Sequence, residues 1–149
     1  MPEWVFSMND STAKPEHIHL IRVRYADVDK MGVVYHTRYF EWFEAARTEL
    51  IRAMGKPYRQ LEEEGILLPV VEAFCRYRKA VQYDELVRVR TVVENVSKSN
   101  LRLEYQVWGE NDQLVRAEGY TVHCFMKLSG RPVRASQCLV DFFSKIPGT

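Results

Sequence analysis

The segment Asp27-Val28-Asp29-Lys30-Met31-Gly32-Val33-Val34-Tyr35-His36 gathers two carboxylates, a glycine and an imidazole in one short stretch of chain. An aromatic run at helical spacing follows, so these groups stand just ahead of a helix N-terminus. The first turn of a helix has N–H groups without partners inside the helix, and the macrodipole adds to their positive character. Such donors can polarise a carbonyl and stabilise the oxyanion formed when it is attacked. A carboxylate close by could supply or activate the nucleophile. Asp27 and Asp29 are two apart and share a side in extended backbone, although a turn would separate them, and spacing does not choose between them. The simpler reading is that both acids only complement the helix dipole or satisfy turn amides. His36 likewise could orient a substrate or water, or make only local hydrogen bonds. Gly32 fits a turn or a close backbone approach.

The elements that must position this segment follow from periodicity. Upstream, over 18–26, Ile21, Val23 and Tyr25 alternate with Arg22 and Arg24, which predicts a strand. Its start is indistinct, because His19 falls on the apolar side and Ile18 and Leu20 on the arginine side. Downstream, Thr37 stands where an N-cap belongs. Tyr39, Phe43, Ala46, Leu50 and Met54 then recur at helical spacing, with Glu41, Glu44, Thr48 and Arg52 on another face, until Gly55 and Pro57 end the helix. Phe40 and Trp42 widen the apolar surface, so a sheet should wrap around this helix.

A short helical piece closed by Gly65 precedes four strand runs, over 66–80, 86–97, 101–109 and 113–127. Short turn-rich loops (QYDE, SKSN, GENDQ) favour antiparallel neighbours. The stretch SQCLVDFFSKI forms a short C-terminal helix whose Leu139, Val140, Phe142, Phe143 and Ile146 need a surface. The order β-α-β-β-β-β gives an α+β domain, since a parallel sheet would need a helix between successive strands. The run over 113–127 is apolar on both faces, so another subunit is expected to cover what the helix does not.

With 149 residues, 46% hydrophobic and a formal net charge of +1, the chain is one ordinary domain with a real core. Residues 1–17 are expected to be a poorly ordered N-terminal extension and residues 18–149 the single domain. The charge balance exerts no general pull on nucleic acid or acidic membranes. Cys75, Cys124 and Cys138 are odd in number, widely spaced and without a CxxC pair, which argues against a zinc knuckle or disulfide framework and for a reducing cytoplasm. No apolar run nears the roughly 20 residues of a membrane span, and the start lacks a basic region followed by an apolar one. A soluble, unexported protein is expected. Glu62-Glu63-Glu64 diverge around a helix with no histidine, so no metal site is expected. His123 and Cys124, adjacent on a strand, point to opposite faces and cannot form a nucleophilic pair.

The run Tyr25-Ala26-Asp27-Val28-Asp29-Lys30-Met31-Gly32-Val33-Val34-Tyr35-His36, with Tyr39 beyond it, closely resembles the 4-hydroxybenzoyl-CoA thioesterase family and within it the YbgC-like acyl-CoA thioesterases. Their signature is Y-x-D-T-D-x-x-G-V-V-Y-H-x-x-Y, and every specified position agrees except the Thr. The likeness continues through Phe43-Glu44-Ala45-Ala46-Arg47-Thr48 and the Tyr83-Asp84-Glu85 turn. It implies a hotdog fold: a five-stranded antiparallel sheet around one long helix, assembled as homodimers or homotetramers. It also implies that Asp29 is the catalytic carboxylate and that amides around His36 polarise the thioester oxygen. Gly32, Val33, Val34, Tyr35 and Tyr39 would then border the acyl group. Lys98 and Ser99 match by position a loop that contacts the coenzyme A nucleotide in relatives, and Arg76, Arg78 and Lys79 form a second basic cluster. Two departures are Val28 in place of Thr and Arg38 where Asn commonly precedes Tyr39.

The expected activity is hydrolysis of short- or medium-chain, or small aromatic, acyl-CoA to free acid and coenzyme A, with no metal or redox cofactor. Asp29 acts either as nucleophile or as general base. The carrier is coenzyme A or an acyl carrier protein. Two alternatives are a hydratase or dehydratase acting on a carrier-bound acyl chain, for which no H-F-P-G type loop is present, and a non-catalytic module that binds acyl-CoA or acyl carrier protein.

Overall fold

The computed structural model describes residues 13–56 and 58–145. Its elements are β1 (Glu16–Arg22), a 3-10 turn (Tyr25–Asp27), α1 (Arg38–Ala53), α2 (Tyr58–Glu63), β2 (Ile66–Leu67), β3 (Val70–Tyr77), β4 (Leu86–Val96), β5 (Asn100–Trp108), β6 (Val115–Lys127), β7 (Pro132–Val133) and α3 (Gln137–Ser144). Five long strands pair antiparallel in the order β1-β4-β5-β6-β3, while the two-residue β2 and β7 join the end of β6.

Alternation decides which side of this sheet meets α1. Val87, Val89 and Val93 of β4, Leu101, Leu103, Tyr105 and Val107 of β5, and Ala117 and Phe125 of β6 are buried, and against them lie Tyr39, Phe43, Ala46 and Leu50 of α1. Trp42 and Ile51 are buried as well, whereas Phe40, expected to widen the apolar surface, is exposed and meets the core through its edge contact with Phe43. Ser136 caps α3 by accepting a hydrogen bond from the Leu139 N–H at 3.1 Å. Leu139 and Phe143 enter the core, whereas Ile146 lies outside the described residues.

Several boundaries differ from expectation. β1 begins at Glu16, two residues early, because the Pro15 carbonyl accepts from Val93 N–H at 2.9 Å and Lys14 pairs with Glu94. The rest of the expected extension, residues 1–12, lies outside the described residues. The run over 66–80 breaks between β2 and β3 at Leu68 and Pro69, since proline brings no N–H to a ladder. Thr37 occupies the N-cap position with helical φ −72° and ψ −21°, and its side chain makes no capping hydrogen bond. Among the described residues, no helix is long and apolar enough to cross a membrane and no cluster of metal-binding side chains occurs.

Two features seat α1. Phe43 stacks on Tyr105 with ring centroids 4.3 Å apart and 9° between planes. Gly119 lies beneath, where a Cβ would stand 2.1 Å from the Phe74 carbonyl oxygen and 3.0 Å from the Phe43 ring. A directional polar chain crosses the same face. Arg47 donates to the Tyr105 oxygen at 3.1 Å, Tyr105 shares a 2.7 Å hydrogen bond with Thr121, and Thr121 shares one of 2.8 Å with His123 Nε2. The other ring nitrogen, Nδ1, is 2.9 Å from the Leu68 carbonyl. A carbonyl only accepts, so Nδ1 carries the proton and Nε2 accepts from Thr121. Burial lowers the imidazole pKa to about 4, so the ring is neutral near pH 7 and Nε2 serves as the acceptor.

Gly119→Ala is expected to cost about 2 kcal/mol and lower Tm by roughly 5–10 °C, since the obstructing atom is backbone; thermal unfolding checks this. For His123 the folded pKa lies below the unfolded 6.5, so its contribution is full above pH 6.5 and is lost as pH falls towards 4. A plot of Tm against pH should slope downward on acidification across that window, and His123→Gln should flatten the slope.

Candidate active site

The segment from Val28 to Val34 is a small antiparallel hairpin. Val28 bridges Val34, Asp29 N–H donates to the Val33 carbonyl at 2.9 Å, and Gly32 N–H donates back to the Asp29 carbonyl at 3.0 Å. Gly32 closes the turn at φ 79°, a left-handed conformation that favours glycine. Two further contacts fix the hairpin: Val34 N–H donates to the Val81 carbonyl at 2.8 Å, and Val33 bridges Gln82. Val28, which replaces the Thr of the resembling motif, packs against the core, so a hydrophobe serves there.

The turn separates the two acids. Asp27 is 1% exposed. One of its oxygens accepts from the Arg24 N–H at 2.9 Å and the other from the Arg24 guanidinium at 3.0 Å, with the Arg38 guanidinium 3.9 Å away. Burial alone would raise its pKa, but the hydrogen bonds from Arg24 and the charges of Arg24 and Arg38 hold it below the ordinary carboxylate value. Asp27 is thus committed to holding the loop. Asp29 is half-buried, its Oδ1 accepts from Met31 N–H at 2.8 Å, and Oδ2 has no partner among the described residues. Part of the simpler reading is therefore correct, since Asp29 does satisfy a turn amide, yet one oxygen stays available for chemistry.

The hairpin returns directly to the helix. Tyr35 N–H donates to the Asp27 carbonyl at 2.9 Å, and the chain enters α1 through Arg38 N–H donating to the Tyr35 carbonyl at 3.0 Å. The N–H groups of His36 and Thr37 have no hydrogen-bond partner among the described residues. Both donors lie at the positive end of the helix, immediately before its first residue. The exposed His36 ring lies against Tyr35 at 4.4 Å and, more distantly, meets Tyr77 edge-on at 6.3 Å.

The remaining expected residues are distributed unevenly. Gly32 and Tyr35 are exposed and Val33 is half-buried, all near the hairpin surface. Val34 and Tyr39 are core residues, and burial pushes the Tyr39 phenol up to about 12. Lys98 and Ser99 lie at the far end of β4 from the Gln82 contact, so within one protomer they do not join Asp29. Ser99 is tied into the turn by Ser97, whose hydroxyl accepts its N–H at 3.2 Å, while the Lys98 side chain is exposed with no ion pair among the described residues. Of the second basic cluster, Arg78 is neutralised by Glu118 and Arg76 lies 5.7 Å from the Phe74 ring centroid. Two residues escaped sequence reasoning: Arg24, one full turn contact away from Asp27, and Tyr77, whose phenol donates to the His36 carbonyl at 2.7 Å across 41 residues. The i, i+3 spacing of Arg24 and Asp27 was a usable signal for the first, and the second had none.

Residues 23–143 match the thioesterase-like superfamily. The acyl-CoA thioesterase YbgC of Haemophilus influenzae is 37% identical over 98 residues, 65% of this chain and 72% of that protein. A DHNA-CoA thioesterase structure from Staphylococcus aureus is 36% identical, with a TM-score of 0.76 over 80% of each chain. A 4-hydroxybenzoyl CoA thioesterase bound to 4-hydroxybenzoyl CoA shares the fold at 19% identity, with a TM-score of 0.79 over 87% of this chain and 99% of that one.

The two acids should separate in stability measurements. Asp27→Ala leaves the Arg24 backbone N–H without its acceptor and empties a buried position, and is expected to cost about 1–2 kcal/mol in denaturant unfolding. Asp29→Asn keeps the oxygen that accepts from Met31 and should stay within about 0.5 kcal/mol of wild type.

Proposed function

The chain belongs to the thioesterase-like superfamily, and from that premise we propose that it hydrolyses acyl-CoA thioesters to free acid and coenzyme A, with Asp29 as the catalytic carboxylate. The observation that carries this reading is the pairing of an uncommitted Asp29 oxygen with two unpartnered helix-start amides in one continuous segment. A thioester oxygen accepting from the His36 and Thr37 N–H groups would have its developing charge stabilised at the helix N-terminus. Asp29 then either attacks the carbonyl carbon, expelling coenzyme A thiolate and leaving a mixed anhydride for water to open, or takes a proton from an attacking water. Both routes use only the groups of the chain and water.

The acyl class we favour is short- or medium-chain aliphatic or small aromatic. The rings of Tyr35, His36 and Tyr77 give the site an apolar aromatic border suited to such groups. The names of the relatives, acyl-CoA thioesterase and DHNA-CoA thioesterase, support a coenzyme A carrier.

Assembly as a homodimer or larger homo-oligomer is part of the proposal. Among the described residues β3 pairs only with β6, and its Val71 is 61% and Phe74 40% exposed. A second copy covering this strand would bury that surface. It would also allow the distant Lys98 and Ser99 turn to meet a coenzyme A whose thioester lies at another protomer's Asp29. The unpaired state of Cys75, Cys124 and Cys138 agrees with a cytoplasmic setting.

The deciding experiment is release of free thiol from a panel of acyl-CoAs, acetyl to palmitoyl plus benzoyl types, with acyl carrier protein thioesters beside them. Wild type is expected to turn over at least one member, and folded Asp29→Asn to lose about 100-fold or more in kcat. Full activity in Asp29→Asn would sink the assignment of Asp29, and a folded wild type that binds without releasing thiol would leave a binding module.

A further inference from the structure

We infer that Tyr77 is a positioning residue for this site, its phenol holding the His36–Thr37 peptide so that the Thr37 N–H remains aimed out of the helix start as a donor to the substrate oxygen. The inference rests on the thioesterase reading above. The Tyr77 hydroxyl donates to the His36 carbonyl at 2.7 Å. In a trans peptide the C=O and the following N–H point in opposite directions. Drawing the His36 carbonyl towards β3 therefore turns the Thr37 N–H the other way, and that N–H has no partner among the described residues. A hydrogen bond accepted by a peptide carbonyl also polarises the group and strengthens its N–H as a donor.

The clamp is itself held. Tyr77 is the last residue of β3, and its ring meets Tyr39 at 5.0 Å and 76° and His36 at 6.3 Å and 88°. Tyr39 is 3% exposed and belongs to the core, so the phenol is referenced to the rigid part of the molecule and not to the loop. Burial, followed by the neighbouring Cys75 thiol, raises the Tyr77 phenol above its ordinary value, and it remains a protonated donor wherever the enzyme is assayed. Among the described residues no backbone N–H donates to the His36 carbonyl, so the Tyr77 phenol is the group that fixes this peptide from its carbonyl side.

Tyr77→Phe removes one oxygen and keeps the ring, and it is tested in the full-length protein beside wild type. With the best acyl-CoA of the panel, kcat should fall about tenfold while KM stays within about twofold. An S-alkyl-CoA thioether of the same chain length has no carbonyl oxygen and should inhibit both proteins equally. Independently of turnover, the backbone 15N resonance of Thr37 should move in Tyr77→Phe while those of α1 beyond its first turn hold still. Unchanged kcat with an unmoved Thr37 resonance overturns the inference, as does a loss shared by thioether affinity and Tm, which marks simple packing. A silent wild type overturns the thioesterase reading and with it the catalytic use of the clamp. An active wild type indifferent to Tyr77→Phe overturns the clamp alone.

Discussion

A carboxylate withdrawn from water has to be matched by donors, because an unpaired buried charge costs several kcal/mol. Asp27 imposes that demand on everything around it. Its partners come from the strand-like stretch after β1, through the Arg24 backbone and side chain, and from the first residue of α1, through Arg38. The end of the first strand and the start of the long helix are thereby drawn to one point, with only the hairpin left between them. Arg38, which stands where the resembling motif commonly has Asn, reaches further than an amide would, with its guanidinium 3.4 Å from the Ala26 carbonyl and 3.1 Å from Glu41. The buried carboxylate of Asp27 thus fixes the frame in which Asp29 stands.

The helix entering that frame is set in turn by the sheet. Phe43 can lie flat on Tyr105 because Gly119 has no side chain, and the same tyrosine ends the guanidinium reach of Arg47 and begins the path to His123. Apolar stacking and a satisfied polar chain thus share one residue, so the depth and the rotation of α1 are fixed together. The helix start inherits this placement. Its His36 and Thr37 amides have no partner among the described residues, and the Thr37 hydroxyl, on a backbone already helical, caps none of the amides that follow.

Much of this was legible in the chain. Strict alternation in residues 101–107 located β5, and the aromatic spacing from Tyr39 to Leu50 located α1, because both patterns are local and each buries one face. The run from Tyr25 to Tyr39 carried the family and the hotdog fold, which the superfamily match bears out. The resemblance pointed to Asp29, but spacing alone could not show that Asp27 has both oxygens engaged while Asp29 keeps one open. That difference depends on a turn whose closure by Gly32 at φ 79° points the two side chains apart, and two-residue spacing in an unknown backbone says nothing of that. Tyr77 was invisible for a different reason, since its partner lies 41 residues away and is a backbone carbonyl, which no side-chain motif records. Lys98 and Ser99 illustrate the converse: positional matching found them, but only the course of β4 shows how far they stand from the hairpin within one chain.

The open side of β3 carries a hazard as well as an opportunity. A strand edge with free N–H and carbonyl groups is a template for any extended chain, and Val70, Val71 and Phe74 make this one adhesive. Glu72 interrupts those apolar residues, Arg76 follows them within the strand, and Arg78, paired with Glu118, comes directly after it. A flat apolar partner laid along β3 would have to bury these charges, whereas a partner offering their complements would not. The strand therefore acts as a filter against indiscriminate aggregation, tolerating a matched neighbour and penalising the sticky segments of unfolded chains.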